Sequence, residues 1–258
     1  MEIGPLKETY KVRLPQPKNP VLAPLALRLL ALGPSSSGKT NAIVTMLTDA
    51  RFYRGLFERI YWVSPTATVD PGIDALRTYV RDHMQQDQEE DQTFHDGLGD
   101  DVIDFLEARV AKAKKVMEFL KKQKAQQAGF NTLFVLDDLA DARARPKLQR
   151  FVDACFVKYR HWGVSIILSS QKLKLPLISP TVRVNLTSLM CWRLRNQSDL
   201  WDGLVYEYSA LVDKTKLLAA YKACMVTAYN FLYINLLATD IDSMFFCGFT
   251  QRFIMSDD

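Results

Sequence analysis

The sequence predicts an α/β fold in which a mostly parallel, doubly wound sheet is flanked by helices. Short apolar runs alternate along the chain with segments of helical periodicity, an order that is typical of βαβ units. One such run leads into "GPSSSGKT", a glycine-rich loop that is followed at once by a helical segment. Two others, "TLFVLDD" and "GVSIILSSQ", end in polar residues. Sheets of this kind bind ligands at the carboxyl ends of their strands, so we expect a site there.

The bulk composition is that of a globular protein. The chain has 258 residues, of which 48% are hydrophobic and 24% charged, which suits one large α/β domain or two small ones. No apolar run approaches the roughly 18 residues of a membrane-spanning helix, so no span is expected. The opening stretch "MEIGPLKETYKVRLPQPKNP" fits neither a signal peptide nor a presequence, which indicates a reducing compartment. We expect an extended arm over residues 1–24, a core over 25–200, and a tail over 201–258 that completes the same domain.

The elements of the first part can be placed in order. Prolines interrupt the arm, and a strand over about residues 25–32 then enters the glycine-rich loop. The helical stretch "NAIVTML" follows over residues 41–47. "RIYWVSP", residues 59–65, has the composition of a strand that its proline ends. A helix is expected near residues 74–81.

The alternation continues in the rest of the chain. "HMQQDQEEDQ" is acidic and Gln-rich, and we expect it to be a surface loop. Apolar residues then recur at helical spacing from Val102 to Leu120, which predicts a long amphipathic helix. Further strands are expected at residues 132–138, 163–171 and 186–194. The tail alternates helices with two aromatic strands, "YNFLYINLL" and "SMFFCGF".

Cysteines and histidines lack the spacing of a metal site. The cysteines are widely spaced in apolar surroundings, which indicates buried free thiols: Cys155, Cys191, Cys224 and Cys247. The histidines lie on polar segments and are expected to be solvated: His83, His95 and His161.

Charge is unevenly distributed although the net charge is only +4. Residues 82–107 contain ten acidic residues and no lysine or arginine, and we expect most of them to form a solvated face. Residues 141–183 contain nine lysines and arginines against two aspartates. This basic segment is a candidate contact for a polyanion or for another subunit.

The glycine-rich loop fits the phosphate-binding pattern G-x-x-x-x-G-K-[ST]. Gly33 and Gly38 let the backbone curl so that its N–H groups point at phosphate oxygens. Lys39 would reach the outer phosphates, and Thr40 would offer its hydroxyl to Mg²⁺. The predicted nucleotide-binding residues are therefore Gly33, Pro34, Ser35, Ser36, Ser37, Gly38, Lys39 and Thr40.

Two adjacent carboxylates end the strand "LFVLDD". Asp137 is positioned to hold Mg²⁺ through the water shell of the ion, so Thr40 and Asp137 are the predicted metal residues. Asp138 points differently and would polarise the attacking water. Glutamate is commoner at the catalytic position, and the shorter aspartate at 138 would hold the water less closely.

Gln171 and Arg160 are the other catalytic candidates. If the "VSIILSS" strand lies between the phosphate-loop strand and the Asp137 strand, the Gln171 amide would contact both the γ-phosphate and the water. Arg160, in "KYRHWG", precedes that strand and is a candidate for neutralising a neighbouring subunit's γ-phosphate. A surface ion pair or a helix cap is an equal alternative for Arg160. Arg183 is the second candidate for the same role.

Together these motifs resemble the FtsK–HerA superfamily of P-loop ATPases, and most closely the genome-packaging ATPases of large double-stranded DNA viruses and virophages. The matching stretches are "GPSSSGKT", "YWVSPT", "LFVLDDLA", "YRHWGVSIILSSQ", "PTVRVNLTS" and "AYNFLYINL". The resemblance covers about residues 25–237. The acidic segment over 82–107 and the aspartate at 138 depart from the family pattern.

The resemblance implies a RecA-like (ASCE) core that uses ATP and Mg²⁺. It implies a homo-oligomeric ring that hydrolyses ATP at subunit interfaces and threads double-stranded DNA into a capsid. Capsid or portal-vertex proteins would then be partners, and the host-cell interior (the virus factory), with possible virion association, would be the location. Lys172 and Lys174, just beyond Gln171, are candidate DNA contacts, although two solvated lysines explain them equally well.

Three other classes are possible from the motifs. A small-molecule or nucleoside kinase would share the phosphate loop, and Arg143, Arg145 and Arg150 would suit a mobile lid, but the "SSQ" strand end is not expected there. A GTPase fits less well, because "NQSD" lacks the lysine of the guanine-reading loop. A nucleotide-dependent scaffold would need neither Asp138 nor Gln171.

Overall fold

The computed structural model describes residues 12–84, 86, 88–126, 130–138, 145–173 and 178–256. The strands of this part of the chain are β1 (Arg28–Leu32), β2 (Arg59–Ser64), β3 (Phe94–Asp96), β4 (Thr132–Leu136), β5 (Val164–Ser170), β6 (Ser188–Cys191), β7 (Leu232–Asn235), β8 (Phe245–Cys247) and β9 (Gln251–Arg252). The α-helices are α1 (Lys39–Thr48), α2 (Asp74–His83), α3 (Asp100–Lys122), α4 (Pro146–Val157), α5 (Pro180–Val184), α6 (Tyr206–Tyr208) and α7 (Lys214–Cys224). A π-helical segment, Asp199–Val205, precedes α6.

All described strands belong to one sheet with the order β3-β2-β4-β5-β1-β6-β7-β8-β9. The first six strands in this order, from β3 through β1 to β6, run parallel to one another. Strands β7, β8 and β9 then follow in antiparallel orientation. The predicted fold class, a mostly parallel sheet flanked by helices, is confirmed. Strand β5 lies between β1 and β4, so the loops after all three strands meet at one edge of the sheet.

The central strands are buried along their whole length because helices cover both faces of the sheet. In β1, Leu30 and Leu32 pack into one hydrophobic cluster while Leu29 and Ala31 pack into the other. Helices α3, α4 and α7 contribute to the first cluster, and α1 and α2 to the second. Successive side chains along each strand therefore pack on opposite faces of the sheet, and the loops converge at the carboxyl ends of the strands.

The arm before β1 is attached to the body of the protein at its end. Leu22 and Ala23 are buried. The backbone N–H of Ala23 donates to Tyr233 Oη at 3.0 Å, and Tyr53 Oη donates to the Ala23 carbonyl at 2.7 Å. Residues 22–23 are thus held between β7 and the segment that follows α1.

The acidic, Gln-rich stretch over residues 83–92 is not simply a surface loop, which corrects the sequence-based expectation. Gln86 and Asp91 are buried, and residues 94–96 form β3 at the edge of the sheet. Asp91 accepts ion pairs from Arg59 at 3.4 Å, Arg109 at 2.5 Å and Lys112 at 3.8 Å. Cations from β2 and α3 compensate the buried carboxylate, and the composition of the segment itself contains no sign of them.

His95 is also buried, contrary to the expectation that all three histidines are solvated. Its ring packs against Phe105 with centroids 4.8 Å apart, and its Nε2–H donates to the Gln92 carbonyl at 2.8 Å. His83 and His161 are exposed as expected.

The remaining composition-based expectations agree with the fold. The four cysteines are buried and free, as predicted. Over the ranges given above, the helices are too short or too polar to cross a lipid bilayer.

Candidate functional site

The phosphate loop connects β1 to α1 and is shaped by left-handed backbone conformations. Gly38, directly before α1, has φ 96°, and Ser36 has φ 61°. Gly33 lies against Trp192 of the segment after β6, where an added Cβ would come within 2.8 Å of the Trp192 Cβ. The first glycine is therefore needed for close packing under the loop, and the second for the turn into the helix.

Lys39 is turned inward at the base of the loop. Its ammonium donates to the carbonyls of Gly33 at 2.8 Å and Pro34 at 2.9 Å. Burial lowers the pKa of Lys39 from its usual 10.5, and the nearby carboxylates of Asp137 and Asp138 partly oppose that shift. The lysine is a buried cation beside the loop and its two carboxylate neighbours.

Asp137 and Thr40 form the second part of the site. Thr40 Oγ1 donates to Asp137 Oδ2 at 2.9 Å, and Asp137 is 3% exposed. Burial raises the pKa of Asp137 from its usual 3.8, and Ser169, Thr40 and Lys39 act in the opposite direction. Asp137 Oδ1 accepts no hydrogen bond from the residues that the structure describes. A hydroxyl beside a buried carboxylate with an unused oxygen is a donor set that suits a hard cation such as Mg²⁺.

Gln171 joins Asp138 to the phosphate loop. Its Nε2 donates to Asp138 Oδ1 at 2.9 Å and to Ser35 Oγ at 2.9 Å. Asp138 itself is exposed and has φ 49°, whereas Asp137 is buried, and Gln171 links the Asp138 carboxylate to the loop. The structure thus brings together the three segments that the sequence analysis selected: the loop, the acid pair and the glutamine.

A cavity of about 770 Å³ lies over the loop. Besides the predicted residues, it is lined by side chains that sequence reasoning did not select: Asn41, Ala42, Thr45, Asp70 and Tyr229. In the sequence, "AYNFLYINL" contributes only to the family resemblance. Its Tyr229 reaches the site because the strand that follows, β7, belongs to the same sheet. Asp70 comes from the loop after β2 and carries no local sequence signal of its position.

Arg160 lies at the opposite end of the sheet from this cavity. It precedes β5, whereas Gln171 follows β5, and seven strand residues span roughly 23 Å. The exposed Arg160 lies near Arg28 at the start of β1, and burial together with Arg160 lowers the pKa of Arg28 to about 10. Arg160 therefore does not reach the phosphate loop of its own chain.

Several of the other basic candidates form ion pairs or hydrogen bonds with nearby residues. Arg183 forms an ion pair with Glu207 at 3.4 Å and donates to the Ile178 carbonyl at 3.0 Å. Arg145 pairs with Asp100 at 2.9 Å, and Lys147 pairs with Asp104 at 2.6 Å, so part of the basic segment neutralises the start of α3. Arg143 and Lys174 lie outside the described residues. Lys172 is exposed beside Gln171, at the same edge as the cavity.

The chain matches one protein-family model and is similar to several solved structures. The family model described as "Poxvirus A32 protein" matches residues 18–255. No curated protein sequence matches this chain. Among solved structures, the genome packaging NTPase B204 from Sulfolobus turreted icosahedral virus 2, in complex with ATP-gammaS, is 16% identical with a TM-score of 0.46. That similarity covers 84% of this chain and 94% of B204.

A second solved structure has a fold similar to that of this chain. The cytoplasmic domain of the Thermomonospora curvata Type VII secretion ATPase EccC is 15% identical with a TM-score of 0.55. The similarity covers 83% of this chain and 24% of the EccC chain, so this chain corresponds to one part of EccC. The pCW3 conjugation coupling protein TcpA is 15% identical with a TM-score of 0.48, covering 80% of this chain and 56% of TcpA.

Proposed function

Because the chain belongs to the poxvirus A32 protein family, we propose that it is the motor that translocates double-stranded DNA during viral genome packaging. It is an ATP-hydrolysing enzyme of the FtsK–HerA type. The finer parts of the proposal are the DNA substrate, the ring, the catalytic residues and hydrolysis at subunit interfaces. B204 is described as a genome packaging NTPase. That this chain also packages a genome is part of the proposal.

The observation that carries the proposal is the Gln171 amide held between Asp138 and Ser35. A strand-end amide placed between the loop and a carboxylate is suited to couple the state of the γ-phosphate to the attacking water. A protein that only bound a nucleotide would have no need of this connection. It therefore favours hydrolysis over passive binding.

The proposed roles of the individual residues follow from their positions. The loop backbone and Lys39 bind the phosphates, whose oxygens would replace the two carbonyls as partners of the Lys39 ammonium. Thr40 and Asp137 would hold Mg²⁺, which when bound screens the charge on the phosphates. Asp138 orients the water and accepts its proton, while Gln171 holds Asp138 in place.

The DNA and ring parts of the proposal are supported by surface features. Lys172 is exposed one residue beyond Gln171, so a phosphate contact there would lie next to the catalytic amide. Arg160 faces away from its own site and is therefore available to a neighbouring subunit. Capsid or portal-vertex proteins as partners, the use of Mg²⁺, and action in the virus factory of the host cell belong to the same proposal.

The kinase alternative has less support. It needs arginines on a mobile lid, yet Arg145 donates to both Asp100 and the Leu98 carbonyl. These contacts attach it to the start of α3. Arg150 is exposed on α4, and Arg143 is outside the described residues.

The proposal is tested by measuring ATP hydrolysis with and without duplex DNA, in the absence of any phosphate acceptor. We expect DNA to stimulate turnover of the wild-type chain. Asp138→Asn should bind ATP normally and hydrolyse it about 100-fold more slowly, the usual range for loss of a general base. Lys39→Ala should lose ATP binding itself, because it removes the buried charge that faces the phosphates.

Two results would contradict the proposal. Normal turnover by Asp138→Asn would show that another group orients the water. Turnover that ignores DNA but depends on an added nucleoside or small phosphate acceptor would favour the kinase.

A further inference from the structure

Tyr229 presents an aromatic ring at the mouth of the phosphate-loop cavity. It is 74% exposed although its ring is large and mostly apolar. It lines both the 770 Å³ cavity and a neighbouring cavity of about 550 Å³ on the other side of the loop. Of the described residues that line the larger cavity, it is the only aromatic one.

The backbone at Tyr229 is held in place from below. Trp192 Nε1 donates to the Tyr229 carbonyl at 3.0 Å, and Trp192 is buried beneath the loop. Arg193 donates to the Met225 carbonyl at the start of the same turn. Tyr229 has φ 61°, a left-handed conformation that is unusual for an aromatic residue and that directs its side chain over the loop.

The Tyr229 ring lies in van der Waals reach of the phosphate loop. A Cβ added at Gly38 would lie 3.4 Å from Tyr229 Cδ1 and 3.6 Å from Tyr229 Cβ. The wall of the cavity on the α1 side is formed by Asn41 and Thr45. This cavity is therefore space for a nucleoside whose phosphates occupy the loop, and the exposed ring of Tyr229 lines it.

We propose that Tyr229 is the stacking surface for the nucleobase of the bound nucleotide. This inference rests on the proposed function, in which the loop binds a nucleoside triphosphate. The π-face of an aromatic ring stacks on any base, so Tyr229 contributes affinity and discriminates little between adenine and guanine. The partial exposure of the ring is then explained, because the base covers it in the complex.

The test compares a ligand that has a base with one that lacks it. Binding of ADP, GDP and pyrophosphate, each with Mg²⁺, is measured by calorimetry for wild type, Tyr229→Asn and Tyr229→Phe. Asparagine tolerates the left-handed conformation but removes the ring, whereas phenylalanine keeps the ring and removes only the hydroxyl. We expect Tyr229→Asn to weaken ADP binding about tenfold and leave pyrophosphate binding unchanged, and Tyr229→Phe to match wild type.

Other outcomes separate the possible failures. Unchanged ADP binding by Tyr229→Asn would overturn the stacking role. Equal weakening of ADP and pyrophosphate would also overturn it, because it would show that Tyr229 supports the loop and does not contact the base. If wild type binds neither ligand, the proposed function itself fails. GDP binding that is insensitive to Tyr229→Asn, beside a weakened ADP, would contradict the expected lack of base discrimination.

Discussion

Gln171 links two parts of the candidate site, the phosphate loop and the Asp138 carboxylate. Its amide nitrogen donates to both Ser35 and Asp138. Asp137, one residue earlier, is buried and bonded to Thr40. Two adjacent aspartates thus have separate environments, which suits one for the metal and the other for the water.

His95 is the residue whose environment differs most from expectation, and it makes stability depend on pH. Burial lowers the pKa of His95 from its usual 6.5, with Arg109 acting in the same direction and the Gln92 carbonyl, Asp101 and Asp96 opposing it. Between the lowered pKa and pH 6.5 the unfolded chain therefore binds a proton that the folded chain does not. The free energy of unfolding should fall as the pH drops from 6.5 through the lowered pKa.

This expectation is checked by urea unfolding from neutral pH to about pH 5. His95→Gln keeps an N–H donor for the Gln92 carbonyl but cannot titrate, so its stability should fall less steeply with pH than that of wild type. His83→Gln, at an exposed position, is the matched control and should follow wild type. Parallel pH profiles for wild type and His95→Gln would refute a role for His95.

The edge strand β3 shows how an acidic segment becomes part of the sheet. Asp91 lies just before β3 and is the meeting point of Arg59 from β2 and Arg109 from α3. Tyr61 Oη donates to Asp91 Oδ1 at 3.2 Å, and Gln86 Nε2 donates to its carbonyl at 2.8 Å. This cluster joins α3 to β2 next to β3, and it adds side-chain contacts to the backbone pairing of the three-residue strand β3 with β2.

Asp91→Asn should therefore destabilise the protein by about 3 kcal/mol, because it leaves cations around a buried site without their counter-charge. The measurement is the free energy of urea unfolding, together with amide exchange in residues 94–96. Asp82→Asn makes the same chemical change in a surface pair with Arg81 and should leave the unfolding midpoint unchanged. If the two variants unfold alike, the Asp91 cluster does not stabilise β3.

At the scale of the whole molecule, the sheet separates Arg160 from the site it is proposed to serve. Arg160 and Gln171 lie at opposite ends of β5, so catalysis by Arg160 requires a second chain. We expect Arg160→Ala to bind ATP normally and to lose at least about 1,000-fold in turnover, the lower end of the range known for arginine fingers. Mixed rings of Arg160→Ala and Lys39→Ala should recover part of the activity, because some interfaces then combine an intact pocket with an intact arginine.

Arg150→Ala is the control for this experiment, because it removes an exposed positive charge from α4 without affecting the proposed finger. It should turn ATP over like wild type. Full activity of Arg160→Ala would exclude the finger role and leave Arg183 to be tested, although Arg183 is already paired with Glu207. No recovery in rings whose co-assembly is confirmed would indicate that Arg160 supports only the fold.

The sequence by itself determined the fold class and the centre of the site. The phosphate loop, the Asp137–Asp138 pair and Gln171 each follow a short apolar strand, and both the strand and its polar end are visible within a few neighbouring residues. Parallel alternation of strands and helices then requires those ends to lie on one edge. The local sequence pattern was sufficient to identify these features because each of them lies within one contiguous stretch of the chain.

Only the tertiary structure decided which residues are compensated, covered or placed near the site. Asp91 is buried because cations from two other elements surround it, and nothing in its own acidic stretch distinguishes it from its exposed neighbours. Tyr229 and Asp70 reach the cavity from loops after α7 and β2. Such positions depend on contacts between residues far apart in the chain, and burial or charge pairing across that distance leaves no periodic signal in the sequence.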